Sequence, residues 1–186
     1  MMFSFNLYNS LAPDGIYIAL KRMMPSDCLP PVVLCVGSDL SVGDSLGPIV
    51  GSILKRELQN HNVFVYGTLA KPITAHEVNY MQKFLKCAHP GRTVIAIDAA
   101  VGSAGDVGLI KVCSSPLNPG SGANKKLTKV GDVSVMGIVA EKSVMNYSLF
   151  SGTRLNMVVK MADMISSGII QLMCECLTDC HKIQSM

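Results

Sequence analysis

Tryptophan is absent from the sequence, and only 5% of its residues are aromatic. Charge is sparse too, with 16% of residues ionisable as Asp, Glu, Lys or Arg and a net charge of +3. Nucleic-acid binding calls for a basic stripe with aromatic residues to stack on. The basic residues here are scattered, with only short pairs at Lys21-Arg22 and Lys125-Lys126. No apolar run approaches the length of a membrane span. The N-terminus MMFSFNLYNSLAPDGIYIALKRMMP lacks a basic start followed by an apolar block, so it does not read as a signal peptide. Seven cysteines, an odd count with no even spacing, argue against a secreted disulfide framework. The expectation is a cytoplasmic protein with neither a nucleic-acid nor a membrane partner.

What is present is aliphatic: 49% of the 186 residues are hydrophobic, enough for one domain with a real core. Residues 1–30 read as an N-terminal arm or helix, 31–176 as a single α/β domain and 177–186 as a tail. PPVVLCVG reads as a short buried strand from Val32 to Val36, punctuated by prolines. A helix follows, with Pro48 in its first turn and Leu46, Val50, Ile53, Leu54 and Leu58 on one face. NVFVYGT is a second strand. TAHEVNYMQKFLKCAHPG is a second helix, with Thr74 as its cap and His89-Pro90-Gly91 as its stop. RTVIAIDAAVG is a third strand, apolar on both faces up to Asp98. DVGLIKVCSS is another strand, GDVSVMGIVAE a further short strand or turn, and Leu155 to Leu172 a long terminal helix. Apolar strands alternating with helices predict a mostly parallel sheet covered on both sides, a three-layer α/β/α sandwich.

In such a sheet the ligand crevice lies beyond the carboxyl ends of the strands. Asp39 and Asp44 follow the first strand, and Asp98 ends the third. If those two strands are neighbours, Asp44 and Asp98 project into one crevice. The segment CVGSDLSVGDSLGP resembles a phosphate cradle in its glycine spacing, but Asp44 stands where the phosphate-binding lysine belongs. A carboxylate there repels polyphosphate and suits a proton or a cation. Three uses remain open. Two close carboxyls can share one proton, so that one polarises a peptide carbonyl while its charged partner activates water. Both can stay charged and hold a divalent metal. Or each can simply cap the element it precedes.

The segments VLCVGSDLSVGDSLGPIVGSIL, VYGTL, TVIAIDAAVG and KVGDVSVMGIV, in that order, resemble the YyaC-type sporulation proteins. Those in turn are similar to germination protease and to the hydrogenase maturation endopeptidases. The likeness spans Pro30 to Leu172 and includes the connector NPGSGANKKL and the helix TRLNMVVKMADMI. It implies a mixed-sheet α/β fold of the phosphorylase/hydrolase-like kind. It also implies a peptidase acting on a protein or peptide substrate in a spore-forming cell, with Asp44 and Asp98 as the catalytic acids. Hydrogenase maturation endopeptidases add a histidine that helps recognise metal in their substrate. Here KVGDVS puts Asp132 near that place, which argues against nickel recognition.

His76, Asp39 and Asp132 are accessory candidates: His76 as proton shuttle or ligand, Asp39 as helper to Asp44, Asp132 as site member or turn-maker. No cofactor is expected beyond a divalent metal held by Asp44 and Asp98. Asn124, Lys125 and Lys126 lie in a glycine-rich connector that reads as a substrate flap or a solvated loop. The tail C-x-C-x3-C-H at Cys174, Cys176, Cys180 and His181 lacks the paired knuckles of structural zinc sites.

Overall fold

The computed structural model describes residues 1–25, 29–119, 128–142 and 152–184, with side chains in the last helix described as far as 179. Among these residues six strands form one mixed sheet. In chain order they are β1 (Met2–Asn6), β2 (Val32–Cys35), β3 (Phe64–Tyr66), β4 (Val94–Gly102), β5 (Leu109–Cys113) and β6 (Val133–Glu141). Their order across the sheet is β1-β5-β6-β4-β2-β3. The four strands from β6 to β3 are parallel, and β5 and β1 join antiparallel. Every residue of β2 is buried, as a strand covered on both faces requires.

Four helices cover the sheet: α1 (Ala12–Met23), α2 (Leu46–Glu57), α3 (Val78–Ala88) and α4 (Leu155–Gln184). Each buries residues at helical spacing, such as Ala12, Ile16, Ala19 and Leu20 of α1 or Val78, Met81 and Leu85 of α3. α1, α2 and α4 share one core with Ile95, Ile97 and Val135 of the sheet. α3 packs alone on the opposite face, against Val32, Leu34, Val36 and Ala96. The three-layer sandwich is therefore present and unevenly covered. Residues Leu155–Asp179 of α4 are long and apolar enough to cross a membrane by length and composition, and half of the most apolar part is buried inside the fold.

Four local expectations change. The N-terminal segment holds a strand as well as a helix, because Met2 to Asn6 pair in full register with Cys113 to Leu109. GDVSVMGIVAE is a nine-residue strand between β4 and β5. Thr74 does not cap α3, which begins at Val78. Instead the Thr74 hydroxyl and its backbone N–H, the latter at 2.9 Å, donate to the Glu77 carboxylate. Those bonds hold Glu77 below its usual carboxylate range. The last helix runs on through the predicted tail to Gln184. Within it Cys174 is exposed and Cys176 buried; the side chains of Cys180 and His181 lie outside the described residues, as does the Asn124–Lys126 connector.

α2 is set unusually close to the sheet. A Cβ on Gly51 would stand 1.8 Å from the carbonyl oxygen of Gly67, and one on Gly67 would stand 1.9 Å from that of Cys35. Gly67 also has φ +86°, a conformation that side chains rarely take. Helix, turn and strand thus meet backbone to backbone.

Candidate active site

β2 and β4 are neighbours, as the site requires, with Cys35 opposite Ile97. β2 then stops, and the last bond of that ladder runs from Val36 N–H to the Ile97 carbonyl at 2.7 Å. β4 continues beside β6 for four residues past Asp98, so Asp98 sits within the strand rather than at its end. The departure of β2 opens the sheet beside it. That step, at the carboxyl ends of the strands, is where an open α/β sheet places its ligand crevice.

Asp44 reaches the same place through a tight loop. Gly37 has φ +137°, and a Cβ there would stand 2.1 Å from the Asp44 carbonyl oxygen. Only glycine lets the chain turn and lie against Asp44 so closely. Gly37 N–H donates to the Ile73 carbonyl at 2.9 Å, and Ser38 N–H to the Asp44 carbonyl at 3.1 Å. Asp44 lies in a 3-10 turn, Gly43–Ser45, that leads into α2. Neither that turn nor α2 has a side-chain cap, so the capping role is not what holds the Asp44 carboxylate there.

The charge of Asp44 acts on the Asp98 carboxyl. Asp98 is 7% exposed. Burial first, and then the charge of Asp44, push its carboxyl well above the ordinary range, against one hydrogen bond from Ala99 N–H at 2.8 Å. Asp44 is half-buried, and its carboxyl is also raised by burial, while hydrogen bonds from the Ser38 side chain and backbone oppose the shift. Of the two, Asp98 is the one driven furthest toward holding a proton. Ser38 was not singled out from the sequence, although its place directly after the turn glycine was the available signal.

Of the accessory candidates, Asp39 and His76 are not among the groups that act on either carboxyl, and Asp132 lies elsewhere. Asp39 is exposed in the loop. His76 is exposed in the turn before α3, its backbone N–H on the Thr74 hydroxyl, and it is not among the groups acting on either carboxyl. Asp132 stands at the opposite end of the strands. Its Oδ2 accepts from Val94 N–H at 2.8 Å, and its own N–H donates to the Val94 carbonyl at 2.8 Å. There it lines a separate 220 Å³ cavity together with Lys86, His89 and Arg92. The reason is directional: β6 runs parallel to β4, so the residue just before β6 falls at the amino end. Among the described residues no three His, Cys, Asp or Glu side chains converge as metal ligands. A divalent ion at the crevice would be held by the Asp44 and Asp98 carboxylates, with no third His, Cys, Asp or Glu side chain beside them among the described residues.

The family model described as "Protein of unknown function (DUF1256)" matches residues 4–168. The chain is a member of the DUF1256 family. This DUF1256 chain is 42% identical over 142 residues to "Uncharacterized protein YyaC" of Bacillus subtilis (strain 168), across 75% of this chain and 68% of that one. Among solved structures it is similar to the [NiFe] hydrogenase maturation protease HycI from Thermococcus kodakarensis KOD1. That likeness has 15% identity and a TM-score of 0.47, covering 75% of this chain and 92% of the other.

Proposed function

We propose that this DUF1256 protein is a sporulation-linked peptidase that hydrolyses a peptide bond of a protein substrate with the Asp44–Asp98 pair. The observation carrying this reading is the buried Asp98 carboxyl, raised both by desolvation and by the Asp44 charge. Such a pair holds one proton between two acids. Asp98 keeps that proton and hydrogen-bonds the substrate carbonyl oxygen. Asp44, more exposed and bonded by Ser38, takes a proton from the attacking water. The tetrahedral carbon then collapses, and the proton on Asp44 passes to the leaving amine. The sequence resemblance to spore proteases supports this substrate class and a role in the cytoplasm of a spore-forming cell.

The test is incubation with small acid-soluble spore proteins or an unbiased peptide library, read by mass spectrometry. New termini are expected with the native chain and absent with Asp44→Asn and Asp98→Asn. A chain that binds peptides without producing termini is a regulatory binding protein on the same fold. Activity lost on chelation and restored by one divalent ion would move the chemistry from the shared proton to a metal.

A further inference from the structure

β1 is an edge strand with a free outer side among the described residues. Leu7 N–H donates to the Gly108 carbonyl and Ser114 N–H to the Met1 carbonyl, both at 3.0 Å. The odd-numbered residues therefore face β5, and Met2, Ser4 and Asn6 turn their backbone outward. Edge strands are ordinarily blunted by charge, proline, a bulge or brevity. The sequence MFSFN has no charge and no proline, and pairs with β5 without a bulge. The other edge strand, β3, has only three residues.

α1 lies beside this edge. A Cβ on Gly15 would stand 2.5 Å from the Phe5 ring, so the helix crosses β1 at Phe5. Leu11 and Ile18 lie on the same stripe as Gly15, and both are exposed, Ile18 to 48%. The chain doubles back between β1 and α1. Three residues of helix, about 4.5 Å, correspond to roughly 1.4 residues of strand. Ile18 is thus level with Ser4.

We infer that this edge is a two-fold interface with a second copy of the chain, formed by β1 against β1 and α1 against α1. A two-fold axis at Ser4 pairs Ser4 with its equivalent and Phe3 with Phe5 of the second copy, a favourable aromatic cross-strand pair. The same axis passes the level of Ile18. Antiparallel helices centred there set Asp14 against Arg22, because each lies four residues from Ile18. Both are exposed; Asp14 Oδ1 also accepts from Gln171 Nε2 at 3.2 Å, which leaves its second oxygen for Arg22, while Lys21 is engaged with Glu175 at 2.5 Å. The backbone register and the charge pattern are therefore self-complementary about a single axis, as an isologous interface demands. β5 and β6 separate β1 from β4, so the aspartate crevice plays no part.

Sedimentation equilibrium of the full chain from ~1 to ~100 μM tests this against a dissociation constant in the micromolar range. A dimer is expected. Ser4→Pro removes an outward N–H, spares the bonds to β5 and yields a monomer with unchanged circular dichroism. Arg22→Asp turns two symmetric attractions into repulsions and weakens the dimer about tenfold. Asp14→Arg combined with Arg22→Asp restores it, a rescue that a folding defect would not show. A wild-type monomer throughout the range overturns the proposal. So does a dimer indifferent to Ser4→Pro, or a double reversal that recovers nothing.

Discussion

At the carboxyl end of the parallel strands, burial pushes both the Asp44 and Asp98 carboxyls upward, and the Asp44 charge raises Asp98 further. At the amino end of the same β4–β6 ladder, Asp132 is exposed and spends an oxygen on the Val94 amide. All three are single aspartates in glycine-bearing segments, and residue type does not separate them. What separates them is what surrounds them. Asp132 meets a free strand N–H that needs an acceptor, whereas Asp98 faces the gap that β2 leaves and meets another acid. All three carboxyls accept from a backbone N–H, so what sets Asp98 apart is its burial beside the charge of a second acid, the environment in which functional acids are found.

The largest expected effect breaks one end and spares the other. Asp98→Asn or Asp44→Asn should lower cleavage of a protein substrate by ~10²–10⁴-fold, while Asp132→Asn leaves it unchanged, measured by counting new termini. The pH profile sharpens the same contrast. Cleavage should fall as pH rises through the raised Asp98 titration, which removes its proton. It should also fall as pH drops through the raised Asp44 titration, which neutralises the base. Both limbs should lie above the ordinary carboxylate range.

Next in size is the turn that presents Asp44. Gly37→Ala should cost ~3 kcal/mol, from a backbone that side chains avoid and a contact with the Asp44 carbonyl that must open; urea unfolding reads it. Stability against pH gives the third test. Between the unfolded and folded titrations of Asp98 the native state binds more protons, so the native chain loses stability as pH rises. Asp98→Asn removes that loss, and its melting temperature relative to the native chain should be higher at pH 8 than at pH 4. The smallest effect is Asp132→Ala, expected to cost ~1 kcal/mol through the orphaned Val94 N–H with no change in cleavage.

Much of this arrangement was legible in the sequence. Val32 to Cys35 and Val94 to Asp98 read as buried parallel strands because nearly every residue is apolar, and their adjacency brought Asp44 and Asp98 together. β1 was not legible: five residues with alternating partial exposure bury too little to outweigh an irregular arm. β6 was blurred by Ser134 and Gly137, and Gly137 is there because a Cβ would stand 2.3 Å from Leu46. Asp132 looked like a site residue because a glycine-aspartate turn has no direction until its strand is paired. Ser38 escaped because its role depends on the loop folding back on Asp44.

At Gly51 the backbone of α2 rests directly on the Gly67 carbonyl, with Leu46, Val50 and Leu54 packed into the core on either side of that contact. A helix seated on side chains can rock as rotamers exchange, but one resting on carbonyl oxygens has nowhere to go. The loop that carries Asp44 leads directly into this helix, so on the proposed function a peptide would meet a fixed floor and not a closing one. The amides of α2 around Gly51 should accordingly exchange with deuterium only when the whole domain opens.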